Sequence, residues 1–144
     1  MSAFSGSFTG KITSQSLFVL GDQPNHTLGL GELNGTQKSA DQKWNNSAIR
    51  YWATTEITDN RGIQRGYFVN NHGTEGEDRG SFEGNVSIVG GQGIVEGTWK
   101  YTGGTGSFSG ITGGGAFKTK LTSPTDVEAT WQGHYDLATA KAAG

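Results

Sequence analysis

Apolar and polar residues alternate with a period of two along most of this chain. That period belongs to half-buried β-strands, because successive strand side chains point to opposite faces. Phe4, Gly6, Phe8, Gly10 and Ile12 alternate with Ser5, Ser7, Thr9 and Lys11. Leu28 and Leu30 alternate with Gly29 and Gly31. Val127, Ala129, Trp131, Gly133, Tyr135 and Leu137 alternate with Glu128, Thr130, Gln132, His134 and Asp136. Strands are also expected at 48–58, 63–71, 81–89, 93–101 and 115–121, which makes eight. Turn chemistry separates them: a Pro-containing turn at Gly21 to Asn25, a polar loop at 41–47, a hairpin turn at Asp59-Asn60-Arg61-Gly62, and an acidic, Gly-rich loop at 73–80. The small residues 138–144 read as a frayed tail.

Composition supports an all-β reading. The 144 residues include 25 glycines but only two prolines, and the glycines follow no triplet, so collagen is excluded. Seven Phe, four Trp and four Tyr are spread along a chain of net charge −2, which argues against disorder. Eight antiparallel strands in one short domain, residues 1–144, leave a sheet that curls or closes, because open edges invite aggregation. The expected fold is a single eight-stranded, mostly antiparallel β-barrel, with an interior that side chains fill or that holds one small ligand.

Other features narrow the function classes. There is no cysteine, so disulfides and thiolate chemistry are out. Eleven basic residues nearly balance thirteen acidic ones without a like-charge block, so no nucleic-acid partner is expected. No apolar run approaches the ~20 residues of a spanning helix, and no membrane partner is expected. The start, Met1-Ser-Ala-Phe-Ser-Gly, lacks the pattern of a secretory signal, and a cytoplasmic setting is expected. His26, His72 and His134 lie on separate segments without ligand spacing, so neither a metal nor a cofactor is expected.

The most specific signal is Gly97-Thr-Trp-Lys-Tyr-Thr-Gly-Gly-Thr-Gly-Ser-Phe-Ser-Gly110, continuing Ile111-Thr-Gly-Gly-Gly-Ala-Phe117 and ending in Trp131-Gln-Gly-His-Tyr135. Gly103, Gly104, Thr105, Gly106 and Phe108 resemble the Gly-Gly-Ser/Thr-Gly-x-Phe pattern of the allene oxide cyclase-like and dirigent-like barrels. The resemblance covers roughly the last 45 residues. It implies an eight-stranded barrel of calycin-like shape with an apolar cavity, in a homo-oligomer, dimer or trimer. Physically, Gly103 and Gly104 are expected to take positive φ and turn the chain, Gly106 to permit close backbone approach, and Phe108 to plug the barrel.

Alternation assigns the inward face. It places Val95, Gly97, Trp99 and Tyr101 inside, with Phe117, Thr119 and Leu121, and with Ile49, Tyr51, Ala53, Thr55 and Ile57. In the fourth strand the set is Ile63, Arg65, Tyr67, Val69 and Asn71. Glu32 and Asn34 share a face with Leu28 and Leu30. A carboxylate on a core-facing stripe would have a raised pKa and suit a general acid or base, unless Glu32 sits at the rim. Arg65 would pair with Glu32 or orient a substrate oxygen, and Tyr67 would stabilise developing charge. Tyr51, Asn71, Trp99, Tyr101, Trp131 and Tyr135 would bind the substrate. If the third and fourth strands face the other way, Glu56 and His72 become an acid–base pair.

Three functions fit these residues. One is a cofactor-independent isomerase, cyclase or lyase acting on an apolar, oxygenated small molecule. Another is a carrier or sensor with the same cavity. The third is a structural barrel filled by its own side chains.

Overall fold

The computed structural model describes residues 2–137; the segment 138–144, read as a frayed tail, lies outside them. The described chain is a closed barrel of eight antiparallel strands in sequence order, with β8 returning to pair with β1. The strands are β1 (Ser2–Val19), β2 (His26–Ser39), β3 (Ala48–Thr58), β4 (Arg61–Asn71), β5 (Glu77–Val89), β6 (Gln92–Gly104), β7 (Thr112–Leu121) and β8 (Asp126–Asp136). Closure removes the sheet edges that eight open strands would expose, except where β1 runs on beyond the end of its pairing with β8. The expected fold class is therefore the observed one.

The glycines make room inside this ring. A β-carbon on Gly6 would stand 2.4 Å from the Trp131 ring, one on Gly66 2.6 Å from Phe82, and one on Gly80 2.5 Å from Phe68. In each case the aromatic residue lies directly opposite the glycine on the neighbouring strand. Each large ring therefore occupies the space that a missing side chain leaves. This is how a narrow barrel holds so many aromatic residues.

Cross-strand partners share a face, so register fixes the interior of every strand once one is known. The inward sets expected for β3, β6, β7 and β8 agree with the register: Tyr51 is opposite Leu33, Gly97 opposite Phe117, and Phe117 opposite Trp131. Two strands are reversed. In β4 the inward residues are Gln64, Gly66, Phe68 and Asn70, whereas Arg65, Tyr67 and Asn71 are exposed. The cause is the turn: Asp59 and Asn60, both at positive φ, form a two-residue hairpin that pairs Thr58 with Arg61. Paired numbers then sum to an odd value, so odd residues of β3 face even residues of β4. In β2 the inward residues are Leu33, fully buried, and Gln37, 3% exposed, while Leu28 and Leu30 lie outside. Glu32 and Asn34 go outside with them, opposite Trp52 and Arg50.

The acidic segment is also ordered differently from expectation. A 3₁₀ turn at Gly73–Glu75 leads directly into β5, which puts Asp78 inside the barrel. The Gly-Gly-Thr-Gly-Ser-Phe motif ends β6 and forms a 3₁₀ turn at Gly106–Phe108. Phe108 is 3% exposed and packs with Phe4, Trp44, Ile111 and Tyr135 to plug one end, as expected. Gly106 permits the close backbone approach expected of it, a β-carbon there standing 2.5 Å from the Glu75 carbonyl oxygen, and it also takes the positive φ, 58°, that was expected of Gly103 and Gly104. Gly104 is a second close approach, a β-carbon there standing 2.3 Å from the Phe108 carbonyl oxygen.

Candidate functional site

The inward residues leave a central cavity of about 70 Å³ between the end plug and a second cluster of Phe8, Leu33, Ile49, Val127 and Ala129. Its wall is mostly aromatic: Tyr51, Phe68, Phe82, Trp99, Tyr101, Phe117 and Trp131. These rings meet edge to face, with Tyr51 and Phe82 at 5.2 Å and Trp99 and Tyr101 at 5.0 Å between centroids. That geometry suits their quadrupoles and fixes the shape of the wall.

A hydrogen-bonded chain crosses the plugged end. Trp131 Nε1 donates to Gln37 Oε1 at 2.8 Å, and Gln37 Nε2 donates to Asn70 Oδ1 at 3.0 Å. Asn70 Nδ2 in turn donates to Asp78 Oδ1 at 2.9 Å. The carboxyl of Asp78 is fully buried and also meets Trp44 Nε1 at 2.9 Å and His72 Nε2 at 2.7 Å through Oδ2. The other ring nitrogen of His72 lies 2.8 Å from the carbonyl oxygen of Lys43. A carbonyl oxygen only accepts, so Nδ1 is the donor in that bond. Every donor in the chain points toward Asp78, so the carboxyl is the common acceptor that unites β2, β4, β5, β8 and the loop before β3. Those partners make a buried acid tolerable in an apolar barrel.

The loop at 41–47 was expected to be polar connection only, yet Trp44 is its centre. Trp44 is 1% exposed and closes the barrel end, with the rings of Phe4, Phe108 and Tyr135 meeting it edge-on or tilted. His72 lies flat on Phe108, with centroids 4.0 Å apart. Beside the Phe108 expected there, a large aromatic isolated in a polar segment was the sequence signal for the part Trp44 plays in this plug. Nothing local marked Gln37, Asn70 or Asp78 as its partners.

The expected substrate-binding residues divide. Tyr51, Trp99, Tyr101 and Trp131 line the cavity. Tyr135 belongs to the plug, where its hydroxyl donates to Asp41 Oδ2 at 2.7 Å; burial first, and that hydrogen bond second, push its pKa up to about 12. Asn71 lies outside, where its side chain accepts the backbone N–H of Gly73 at 2.8 Å. Burial also raises the pKa of Tyr51 and, with the charge of Asp78 nearby, that of Tyr101. Both phenols therefore hold their protons. No described residue hydrogen-bonds to the Tyr51 hydroxyl.

The three residues expected to be catalytic, Glu32 as acid or base with Arg65 and Tyr67 to orient and stabilise charge, stand on the outer wall. Arg65 and Tyr67 border a groove of about 660 Å³ together with Trp52, Glu83 and Lys100. Glu32 accepts from Trp52 Nε1 at 2.7 Å and from Thr13 Oγ1 at 3.1 Å. Those bonds, led by Trp52, hold its pKa below the usual glutamate value, opposite to the rise expected from an apolar interior. Arg65 is 3.4 Å from Glu83 rather than paired with Glu32, whose cation is Arg50, also at 3.4 Å. Glu56 and His72 do not meet either: Glu56 bonds to His26 Nε2 at 2.9 Å, and Asp22 bonds to its Nδ1 at 2.8 Å. Among the described residues no group of three such side chains is placed to hold a metal ion.

The geometry thus offers an aromatic interior with a fixed polar end and one unengaged phenol. No family model matches the sequence, and no curated protein matches it.

Proposed function

We propose that the barrel binds a compact, mainly apolar small molecule that carries one oxygen acceptor, and that it works as a carrier or sensor. The observation that carries this reading is Tyr51: a protonated phenol on the cavity wall whose hydroxyl no described residue engages. That hydroxyl is not sealed inside the wall, since among the described residues no buried side-chain oxygen or nitrogen lacks a partner, so it stands open to the oxygen of a ligand or water. The closed eight-stranded barrel also agrees with the architecture implied by the allene oxide cyclase-like resemblance.

Isomerase, cyclase or lyase chemistry would need an acid or base at the cavity. The described lining holds no carboxylate, lysine or histidine, and Glu32, Arg65 and Tyr67 face the other way. Asp78 is walled off behind Trp44, Asn70 and Tyr101, which are the residues that line the cavity at that end. Binding therefore has better support than catalysis. The cavity, at about 70 Å³, is smaller than the ~150 Å³ that accommodates benzene. A ring-sized ligand enters only if the lining rings turn aside.

The test is titration with a panel of small cyclic ketones, phenols and aryl ethers, followed by tryptophan fluorescence, since Trp99 and Trp131 line the cavity. Binding by at least one compound is expected, weakened about 3- to 10-fold by Tyr51→Phe, the worth of one hydrogen bond. No response to any compound would favour a barrel that serves only as a filled scaffold.

A further inference from the structure

Closure of the barrel is incomplete along β1. Its pairing with β8 stops at Lys11 opposite Asp126, with one more hydrogen bond from Ile12 N–H to the Thr125 carbonyl. Its pairing with β2 continues as far as Val19 opposite Thr27. Residues 13–19 therefore project as half of a hairpin, with one edge bonded to β2 and, among the described residues, nothing bonded to the other. The register passes through a bulge at Thr13 and is regular from Ser14 onward. Leu20 N–H donates to the His26 carbonyl at 2.8 Å. Antiparallel alternation then turns the main chain of Ser14, Ser16 and Phe18 toward β2, and that of Gln15, Leu17 and Val19 toward the free edge.

Beyond the bulge at Thr13 this edge has none of the usual protection. Natural edges carry charge, proline or a covering segment. From Ile12 to Gly21 there is no charged residue and no proline. Leu17, Phe18 and Val19 are 61%, 64% and 80% exposed, Leu17 and Val19 on one face of the hairpin and Phe18 on the other, where Leu28 lies opposite it. Unsatisfied main-chain donors and acceptors in a row accept an extended strand, and the lack of charge allows that strand to be identical. Two copies meet antiparallel without bringing like charges together.

We propose that the protein forms a two-fold symmetric dimer in which the free edge of β1 pairs, through residues 17–19, with the same residues of a second copy. The register follows from which residues face the edge. Leu17 of one copy bonds to Val19 of the other and the reverse, so the two Phe18 residues face each other on the two-fold axis as a non-hydrogen-bonded pair. The apolar halves of both strands overlap in this register, and the polar stretch of 13–16 lies outside them. An interface of this kind is isologous and closes at two copies.

Cross-linking tests the register directly, because the chain has no cysteine of its own. Under mild oxidation Phe18→Cys is expected to give a covalent dimer in high yield, and Gln15→Cys and Thr27→Cys little. Sedimentation of the unaltered protein over a range of concentrations is expected to show a monomer–dimer equilibrium. The Leu17→Lys/Val19→Lys variant is expected to be monomeric with an unchanged far-ultraviolet dichroism spectrum. Amide exchange supplies a reading that needs no substitution: the N–H groups of Leu17 and Val19 slow at least 10-fold as concentration rises through the equilibrium. A protein that stays monomeric to millimolar concentration, or a dimer in which those two amides exchange freely, overturns the proposal.

Discussion

The indole of Trp131 lies over Gly6, its partner across the β1–β8 ladder, and leaves no space there for a β-carbon. The Lys38 carbonyl oxygen crowds the same point at 2.6 Å. Gly6→Ala must therefore displace both a ring and a strand. The expected loss is about 1–3 kcal/mol, the usual cost of overpacking, although alanine is intrinsically the better residue for an ordered backbone. Urea denaturation measures it. The control is Gly31→Ala, where the nearest atom lies 3.7 Å away and little change is expected.

Asp78 is expected to matter for stability, not for ligand chemistry. Asp78→Ala leaves the N–H groups of Trp44 and Asn70 without their common acceptor and removes the partner of His72 Nε2. Each orphaned buried donor costs about 1–3 kcal/mol, so the variant is expected to lie at or beyond the limit of folding. Asp78→Asn keeps the volume and one acceptor, and is expected to fold with a lower denaturation midpoint. If it retained full stability, the chain from Trp131 to Asp78 would contribute nothing.

His26 is expected to give the protein a stability that declines above neutral pH. Hydrogen bonds to Asp22 first and Glu56 second raise its pKa above the ordinary value. The charged ring is thus favoured in the folded state. Its contribution is complete below about pH 6.5, the unfolded value, and is lost as pH rises through the higher folded value. Asp22 has the opposite sign: bonding to His26 lowers its pKa, so its contribution is lost only as pH falls well into the acid range. Melting temperatures from pH 5 to 9 should fall toward the alkaline end in the unaltered protein and lose that component in His26→Asn.

Glu32→Gln is expected to leave ligand affinity unchanged, because the side chain is on the outer wall with Trp52. What should change is acid tolerance. The depressed pKa of Glu32 favours the folded state above about pH 4.5, and that contribution fades as pH falls through the lower folded value. Calorimetry at pH 7 and at pH 3 would therefore show a difference between variant and parent at the higher pH alone. An effect on binding would place the ligand in the outer groove beside Arg65 and Tyr67.

How well the chain could be read in advance depended on what fills the barrel. In β6 and β8 the rings themselves point inward, so Trp99, Tyr101 and Trp131 revealed the correct face. In β2 and β4 the inward positions are largely small or amide residues, among them Gly31, Gly35, Gln64, Gly66 and Asn70. Rings from neighbouring strands take that space, so the more apolar stripe, Leu28 and Leu30 or Ile63 and Tyr67, is left outside. Hydropathy alternation is inverted there for a steric reason. The two-residue turn at Asp59 and Asn60 nevertheless encoded the correct parity for β4, because it obliges odd residues to face even ones. The Gln37–Asn70–Asp78 relay joins three strands through residues that no local pattern distinguishes, and only the register assembled it.

Return of β8 to β1 sets Ser2 opposite Tyr135, so the ends of the described chain are neighbours in one ladder. In a ring of nearest-neighbour strands, covalent order is almost arbitrary. A short linker from the end of β8 to the start of β1, with new termini at Gly90 and Gly91 in the exposed turn between β5 and β6, would keep all eight ladders while changing which one closes last. In the native order the β1–β8 ladder spans almost the whole chain and must wait for the most distant contact. Rearranging the termini moves that slow step to another seam, which makes the barrel a direct means of separating the rate of folding from the stability of the finished ring.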